Sequence, residues 1–244
     1  MQLFLSLETG LTKHIDVTLY LTEAYSHCNK RHSWLFGDTS LFFGFQILSD
    51  QKEIPSLDMR FLLGETFPTG KYENLNPHKY DSDSFGNGTY ATTFLLVLAK
   101  TIYWAEAHPI NLNLNLSYIV SSALKVHGFN TYGGGFGTKG TLKPGNQFIA
   151  NFALEYSLTQ NWVIGSDIHY SYQDPCSFSG QKGLLADHSV PSLSSLSSNQ
   201  WSLAPCLEYN WDQNLSANIG SWLTVAGKNA FDFTSILGTV SYYF

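Results

Sequence analysis

Three residues with the side chains of an acyl-transfer triad occupy alternate positions in one short stretch of the chain. Asp167, His169 and Ser171 carry a carboxylate, an imidazole and a hydroxyl, the groups that serine hydrolases combine. On a β-strand the three would share one face, but neighbours two apart lie about 7 Å apart, which is long for direct proton transfer. A polar network is therefore the preferred interpretation, and a hydrolase using His169 and Ser171 stays open as an alternative.

Other motifs add no cofactor or metal site. The histidines show no metal-ligand spacing, and "GETFPTGKY" has neither the glycine spacing of a phosphate-binding loop nor a helix after it. The formal net charge of −6, without a basic stripe, argues against a nucleic-acid partner. Cys28, Cys176 and Cys206 are odd in number and form no disulfide framework. We expect free thiols and no cofactor, with a Cys28–Cys176 pair left open.

The stretches that would position these residues alternate apolar and polar side chains along nearly the whole chain. Such a period of two predicts β-strands, and helical periodicity is nearly absent. Short and long connections alternate, and no composition break divides the chain, so we predict one domain over 1–244. The eleven predicted strands lie near 2–11, 14–24, 38–49, 55–67, 88–104, 109–122, 146–158, 161–173, 200–211, 214–226 and 232–244.

The apolar faces of these strands could meet either a dry core or lipid. Charged residues make up only 13% of the chain, against about 25% in soluble domains. The polar faces are rich in Asn, Ser, Thr and Gly, and aromatic residues gather near both ends of the apolar faces, as at the two interfaces of a bilayer. The sequence therefore predicts an all-β protein, a transmembrane antiparallel up-and-down β-barrel whose partner is the lipid bilayer.

The last nine residues, "ILGTVSYYF", keep the alternation to the end of the chain. Val240, Tyr242 and Phe244 share one face of the predicted final strand. This ending resembles the C-terminal signature of bacterial outer-membrane proteins. The resemblance implies recognition by the outer-membrane assembly machinery and a location in the bacterial outer membrane.

Three motifs resemble the transporter family named for the MetA pathway of phenol degradation. They are Gly37–Asp38 at a strand start, Pro68–Thr69–Gly70 after a strand, and "EYSLT" at 155–159 before a tight turn. The resemblance implies an outer-membrane transporter that normally carries a signal peptide and one more strand upstream. A truncated start and a twelve-strand barrel are therefore expected. The His169-x-Ser171 pair also resembles that of outer-membrane phospholipase, but here its phase turns Ser171 inward.

A set of polar residues is predicted to line the barrel interior. Because unpaired buried charge is costly, Arg60 is expected to pair with one or more of the carboxylates. The set would act as a salt-bridged plug, or as a constriction that favours cations or neutral solutes. Its members are Glu8, Asp16, Asp58, Arg60, Glu155, Asp167, His169 and Glu208.

The function predicted from these features is that of a porin-like passive transporter for small solutes, not an enzyme. The family resemblance alone suggests hydrophobic or aromatic solutes. Two alternatives stay open: the hydrolase, and a structural or surface-binding barrel with a plugged lumen.

Overall fold

The computed structural model describes residues 2–28, 31–49, 57–79, 82–105 and 108–242, without the side chains of Cys28 and Arg31. These residues include no helix that is long and apolar enough to cross a membrane. A 3-10 turn covers Pro77–Lys79. The strands are β1 Gln2–Thr12, β2 Ile15–Cys28, β3 Arg31–Phe36, β4 Thr39–Leu48, β5 Asp58–Phe67, β6 Ala91–Ile102, β7 Ile110–Ser121, β8 Leu124–His127, β9 Lys139–Lys143, β10 Gln147–Ser157, β11 Trp162–Gln173, β12 Ser177–Gln181, β13 Ser198–Asn210, β14 Leu215–Lys228 and β15 Thr234–Tyr242.

Eleven strands form one antiparallel wall, in the order β1-β2-β4-β5-β6-β7-β10-β11-β13-β14-β15, and β3 pairs with the far half of β2. Each wall strand pairs with its neighbours in the chain, so the predicted up-and-down arrangement is confirmed. Among the described residues, β1 and β15 each pair on one side only, so no ladder between them closes the wall. As the first and eleventh members of an alternating series, these two strands run parallel to each other.

Strand register divides the side chains into an apolar outer face and a polar inner face. In β10 and β11, Phe152 pairs with Ile168 on one face, and Asn151 pairs with His169 on the other. The apolar side chains stay open to the surroundings: Ile164 is 47% exposed and Ile168 45%. They would be buried together if the wall enclosed a dry core. The predicted orientation, with apolar side chains on the outer face of the wall, is therefore confirmed.

The aromatic residues of the outer face form contacts near both ends of the strands. At the end with short turns, Trp162 packs on Tyr209 with ring centroids 4.7 Å apart, and Tyr209 packs on Trp211 at 5.1 Å. At the end with long loops, Tyr170 packs on Trp201 at 4.6 Å. Such belts mark the two interfaces of a membrane, and short turns are typical of the periplasmic side.

The long connections contain strands that the sequence analysis assigned to loops. A separate three-stranded sheet, in the order β12-β9-β8, is built from segments that follow β7, precede β10 and follow β11. Its small core consists of Leu124, Val126 and Leu142, all nearly or fully inaccessible. The assignment of 25–37, 123–145 and 174–199 to loops was therefore wrong in part, because β3, β8, β9 and β12 are too short to show a clear alternation.

The predicted assembly signal lies on β15 as far as the structure describes it. Val240 and Tyr242 are on the outer face and are 72% and 65% exposed. Phe244 lies outside the described residues. Cys176 and Cys206 are free thiols, so the structure contains no Cys28–Cys176 disulfide.

We predict that a charge on the outer face destabilises the barrel much more than a charge on the inner face. Ile168 lies at the middle of β11, so Ile168→Lys should lower the free energy of unfolding by about 2–4 kcal/mol, the cost of lysine at the bilayer midplane. The matched control is Asn115→Lys in the inner face of β7. Urea unfolding in lipid vesicles checks both variants, and equal destabilisation would contradict the assigned orientation.

Candidate functional site in the barrel lumen

The inner face of the wall presents mainly hydroxyl and amide groups at the middle of the strands. One row of directly paired residues crosses five strands, from β7 to β14. It consists of Asn115, Asn151, His169, Ser202 and Thr224. Because the faces alternate strictly, this row and the rows beside it form a polar lining, and we take the lumen as the candidate functional site.

Arg60 gathers carboxylates from two other strands. Its Nη2 lies 2.5 Å from Asp16 Oδ1 and 3.8 Å from Glu8 Oε1. Gly44, paired with Asp16, leaves the room for this contact, since a Cβ atom there would lie 2.6 Å from Arg60 Nη2. The expected pairing of Arg60 is thus present, and it joins β1, β2 and β5 along the inner face of the wall, over β4.

The remaining predicted carboxylates near the short turns lie outside this ion cluster. Asp58 accepts a hydrogen bond from Gln46 Nε2 at 2.7 Å. Glu155 accepts one from Asn111 Nδ2 at 3.4 Å, and Glu208 lies on the inner face opposite Val163. In the described wall strands, six inner-face carboxylates stand against one arginine, and most lie toward the periplasmic end. These carboxylates are Glu8, Asp16, Asp58, Glu155, Asp167 and Glu208.

Asp167, His169 and Ser171 share the inner face of β11 as predicted, but no hydrogen bond among the described residues joins His169 to the other two. Asp167 instead accepts a hydrogen bond from Asn151 Nδ2 at 3.2 Å. The His169 ring packs edge-on against Trp222, with centroids 5.3 Å apart. This geometry is that of a polar network, and it gives the hydrolase alternative no support.

At the end of the barrel that carries the long loops, one loop lies in the lumen that the sequence analysis did not assign to the site. Asp38, at the start of β4, accepts hydrogen bonds from Gly70 N at 2.9 Å and from Asn87 N at 2.7 Å. Thr69 Oγ1 donates to Gly37 O at 2.9 Å. The Gly37–Asp38 and Pro68–Thr69–Gly70 motifs, which lie about thirty residues apart in the sequence, therefore meet and anchor the segment 82–90.

Glycine is required where this segment passes the wall. A Cβ atom on Gly86 would lie 2.5 Å from the carbonyl carbon of Gly70, and one on Gly70 would lie 2.7 Å from the Phe85 carbonyl oxygen. Two neighbouring backbones approach this closely only when side chains are absent. Gly70 and Gly86 thus let the segment lie directly against the inner rim.

A second loop holds the same segment from its other side. Thr131 Oγ1 donates to Gly86 O at 2.8 Å, and Tyr132 Oη donates to Asn87 O at 2.8 Å. Burial raises the pKa of Tyr132 to about 12, so its phenol stays protonated and remains a donor. We call 82–90, together with Thr131 and Tyr132, the plug.

Two cavities flank the plug at the long-loop end of the lumen. Thr66 and Asn87 belong to both cavities, so the plug divides the space rather than filling it. A cavity of about 420 Å³ is lined by Thr22, Asp38, Ser40, Thr66, Ser84, Phe85, Gly86, Asn87 and Thr131. A cavity of about 360 Å³ is lined by Thr66, Asn87, Thr89, Ala91, Thr93, Ile119, Ser121, Tyr132, Pro144, Gln147 and Gln173.

The chain is similar to known proteins in family and in fold. A family model described as "Putative MetA-pathway of phenol degradation" matches residues 12–237. No curated protein matches the chain in sequence. The crystal structure of the COG4313 outer membrane channel from Pseudomonas putida F1 matches with a TM-score of 0.63 and 12% identity, over 99% of this chain and 82% of that chain. At this identity the likeness concerns the fold, which is that of an outer-membrane β-barrel.

We predict that Asp38→Ala releases the plug and raises the unitary conductance in planar bilayers. The substitution removes two hydrogen bonds to a carboxylate, each contributing about 1.5–3 kcal/mol. Asp187→Ala is the matched control, because that loop carboxylate accepts its hydrogen bonds locally, from the N–H and hydroxyl of Ser189. A conductance of Asp38→Ala equal to that of the control, in a variant that still migrates as a folded barrel, would contradict the role of the anchor.

Proposed function

The chain belongs to the MetA-pathway of phenol degradation family, as its motifs predicted, and we propose that it is a passive channel for small neutral or cationic solutes. Its barrel lies in the bacterial outer membrane, with the apolar face in lipid. The match in fold to a solved outer-membrane channel supports this proposal. We also propose that the outer face of β15, with Val240 and Tyr242, is recognised by the outer-membrane assembly machinery.

The observation that carries the proposal is the excess of carboxylates on the inner face. Arg60 neutralises part of the cluster formed with Glu8 and Asp16, but Glu155 and Glu208 lie apart from it on β10 and β13. Rings of acidic side chains attract cations and repel anions in a narrow pore. Neutral solutes experience neither effect, so their permeation depends on their size and hydrogen bonding alone.

We propose that the preferred solute is a single aromatic ring bearing a polar group. The two cavities at the long-loop end have the size of a small-molecule site, about 300–1,000 Å³, and offer uncharged hydrogen-bonding groups such as Thr93, Gln147 and Gln173. An edge-on pair of rings, Tyr20 and Phe42, 5.6 Å apart, lies on the same inner face. The family description supports this class of solute, because phenol combines a ring with one hydroxyl.

Passive conduction needs groups that bind the solute weakly at several successive places. Hydroxyl and amide side chains meet this need, because each exchanges a hydrogen bond with water for one with the solute at little net cost. The Arg60 cluster then serves to hold the wall strands in place. The plug favours a second candidate function, that of a structural barrel with a blocked lumen. The conductance of Asp38→Ala, in which the plug should be released, separates the two candidates.

We predict that the channel prefers cations and that Glu155 and Glu208 supply part of this preference. The double variant Glu155→Gln, Glu208→Gln should shift the reversal potential measured under a KCl gradient toward zero. Glu65→Gln is the matched control, because this β5 carboxylate faces outward and accepts a hydrogen bond from Thr92. An unchanged reversal potential in the double variant would sink the proposed selectivity.

Aromatic ions of one size and opposite charge give a second test. We expect phenyltrimethylammonium to permeate faster than benzenesulfonate, because the acidic inner face attracts the cation and repels the anion. Bi-ionic reversal potentials in planar bilayers give the ratio of the two permeabilities. A ratio of one or below would show that the carboxylates do not face the conduction path.

A further inference from the structure

The lipid-facing surface carries an apolar pocket across β10, β11, β13 and β14. The cavity has a volume of about 530 Å³. Large apolar side chains form its rim, namely Leu154, Ile164, Leu207 and Ile219. Its floor consists of Ser166, Pro205 and Ser221. Since this face lies in the membrane, the pocket opens to hydrocarbon.

The wall is thin behind the floor of this pocket. Ser166 pairs with Pro205 on the outer face, and Gly165 pairs with Cys206 on the inner face. Cys206 pairs in turn with Gly220 of β14. Small side chains therefore cover the backbone on both faces at the same level, and little more than the backbone separates the lumen from the pocket.

The ladder between β13 and β14 is interrupted at the same place. Leu203 pairs with Leu223 and Cys206 pairs with Gly220 in the same register, and only the bridges at Ala204 and Pro205 between them are missing. Proline has no N–H to donate to a ladder and is normally confined to edge strands and bulges. The ladder therefore lacks one hydrogen-bond donor at the level where the wall is thinnest.

The lumen on the inner side of this seam is acidic. Asp167 is next to Gly165 on the inner face of β11, Glu208 is next to Cys206 on β13, and Glu155 pairs with Gly165 from β10. An apolar ring that continues toward the periplasmic opening must pass these hydrated carboxylates. Hydrocarbon on the other side of the seam is the more favourable surrounding for such a ring.

We propose that the seam between β13 and β14 at Pro205 is a lateral portal, through which apolar aromatic solutes pass from the lumen into the inner leaflet of the outer membrane. The pocket receives the solute on the lipid side. Charged and strongly hydrated solutes keep to the axial path. The proposal rests on the proposed function in that both need the solute to enter the lumen.

The portal can be locked with a cross-strand disulfide. In a Cys28→Ser, Cys176→Ser, Cys206→Ser background, Leu203→Cys and Leu223→Cys place two thiols directly opposite each other on the outer face, two residues from Pro205. The matched control joins the intact β7–β10 ladder in the same background with Leu116→Cys and Ala150→Cys, a directly opposed outer-face pair. Thiol labelling after oxidation shows whether each bond has formed.

Two measurements separate the portal from the axial channel. Naphthalene uptake by whole cells should fall to the level of cells without the barrel when the 203–223 bond forms, and should recover on reduction. KCl conductance in planar bilayers should not change, and the control bond should alter neither quantity. A second variant, Ser166→Phe, fills the pocket from the lipid side and should also lower naphthalene uptake alone.

The outcomes distinguish the lateral portal from the axial channel. Uptake that persists with the bond formed overturns the portal, and so does a bond that lowers uptake and conductance together, because the axial path is then affected. Uptake that the bond abolishes supports the portal even if the wild-type barrel shows no ionic conductance. In that last case the axial channel fails and the portal stands.

Discussion

The structure depends on one constraint: in hydrocarbon, each backbone N–H and C=O must find its partner within the wall. The ladders between β1 and β15 meet this constraint for the interior wall strands, which are each paired on both sides, whereas β1 and β15 each pair on one side among the described residues. Any departure from the ladder inside the membrane is therefore costly. Pro205, which has no N–H to donate to β14, is such a departure, and it lies beside small residues on both faces.

The same ladders fix the lumen. Because side chains alternate with period two, strands that turn apolar residues to lipid must turn every second residue inward. Arg60 is half-buried there and needs the carboxylates of Asp16 and Glu8 to offset its desolvation. Glu208 also lies on the inner face and makes no hydrogen bond to a described residue.

The sequence was sufficient for the wall and insufficient for the loops. Alternation over ten or more residues predicted all eleven wall strands and the inward phase of Asp167 and Glu208. It could not decide which residues face inward in 92–104, "TTFLLVLAKTIYW", because both faces of this stretch are partly apolar. In the structure, Leu95 and Val97 face inward there. The partners of Arg60 depend on the register of three strands. The contact of Asp38 with Gly70 and Asn87 depends on how two loops fold back, which no local pattern specifies.

The wall and the plug differ in what it costs to move them. Separating two wall strands exposes backbone groups to hydrocarbon, where water cannot replace the lost partners. The plug lies in a polar lumen, and its bond from Asn87 N to Asp38 can be exchanged for bonds to water at a net cost of about 1.5–3 kcal/mol. Moving the plug therefore needs only such exchanges with water, whereas the proposed lateral passage must separate wall strands and costs least at Pro205, where one ladder donor is already absent.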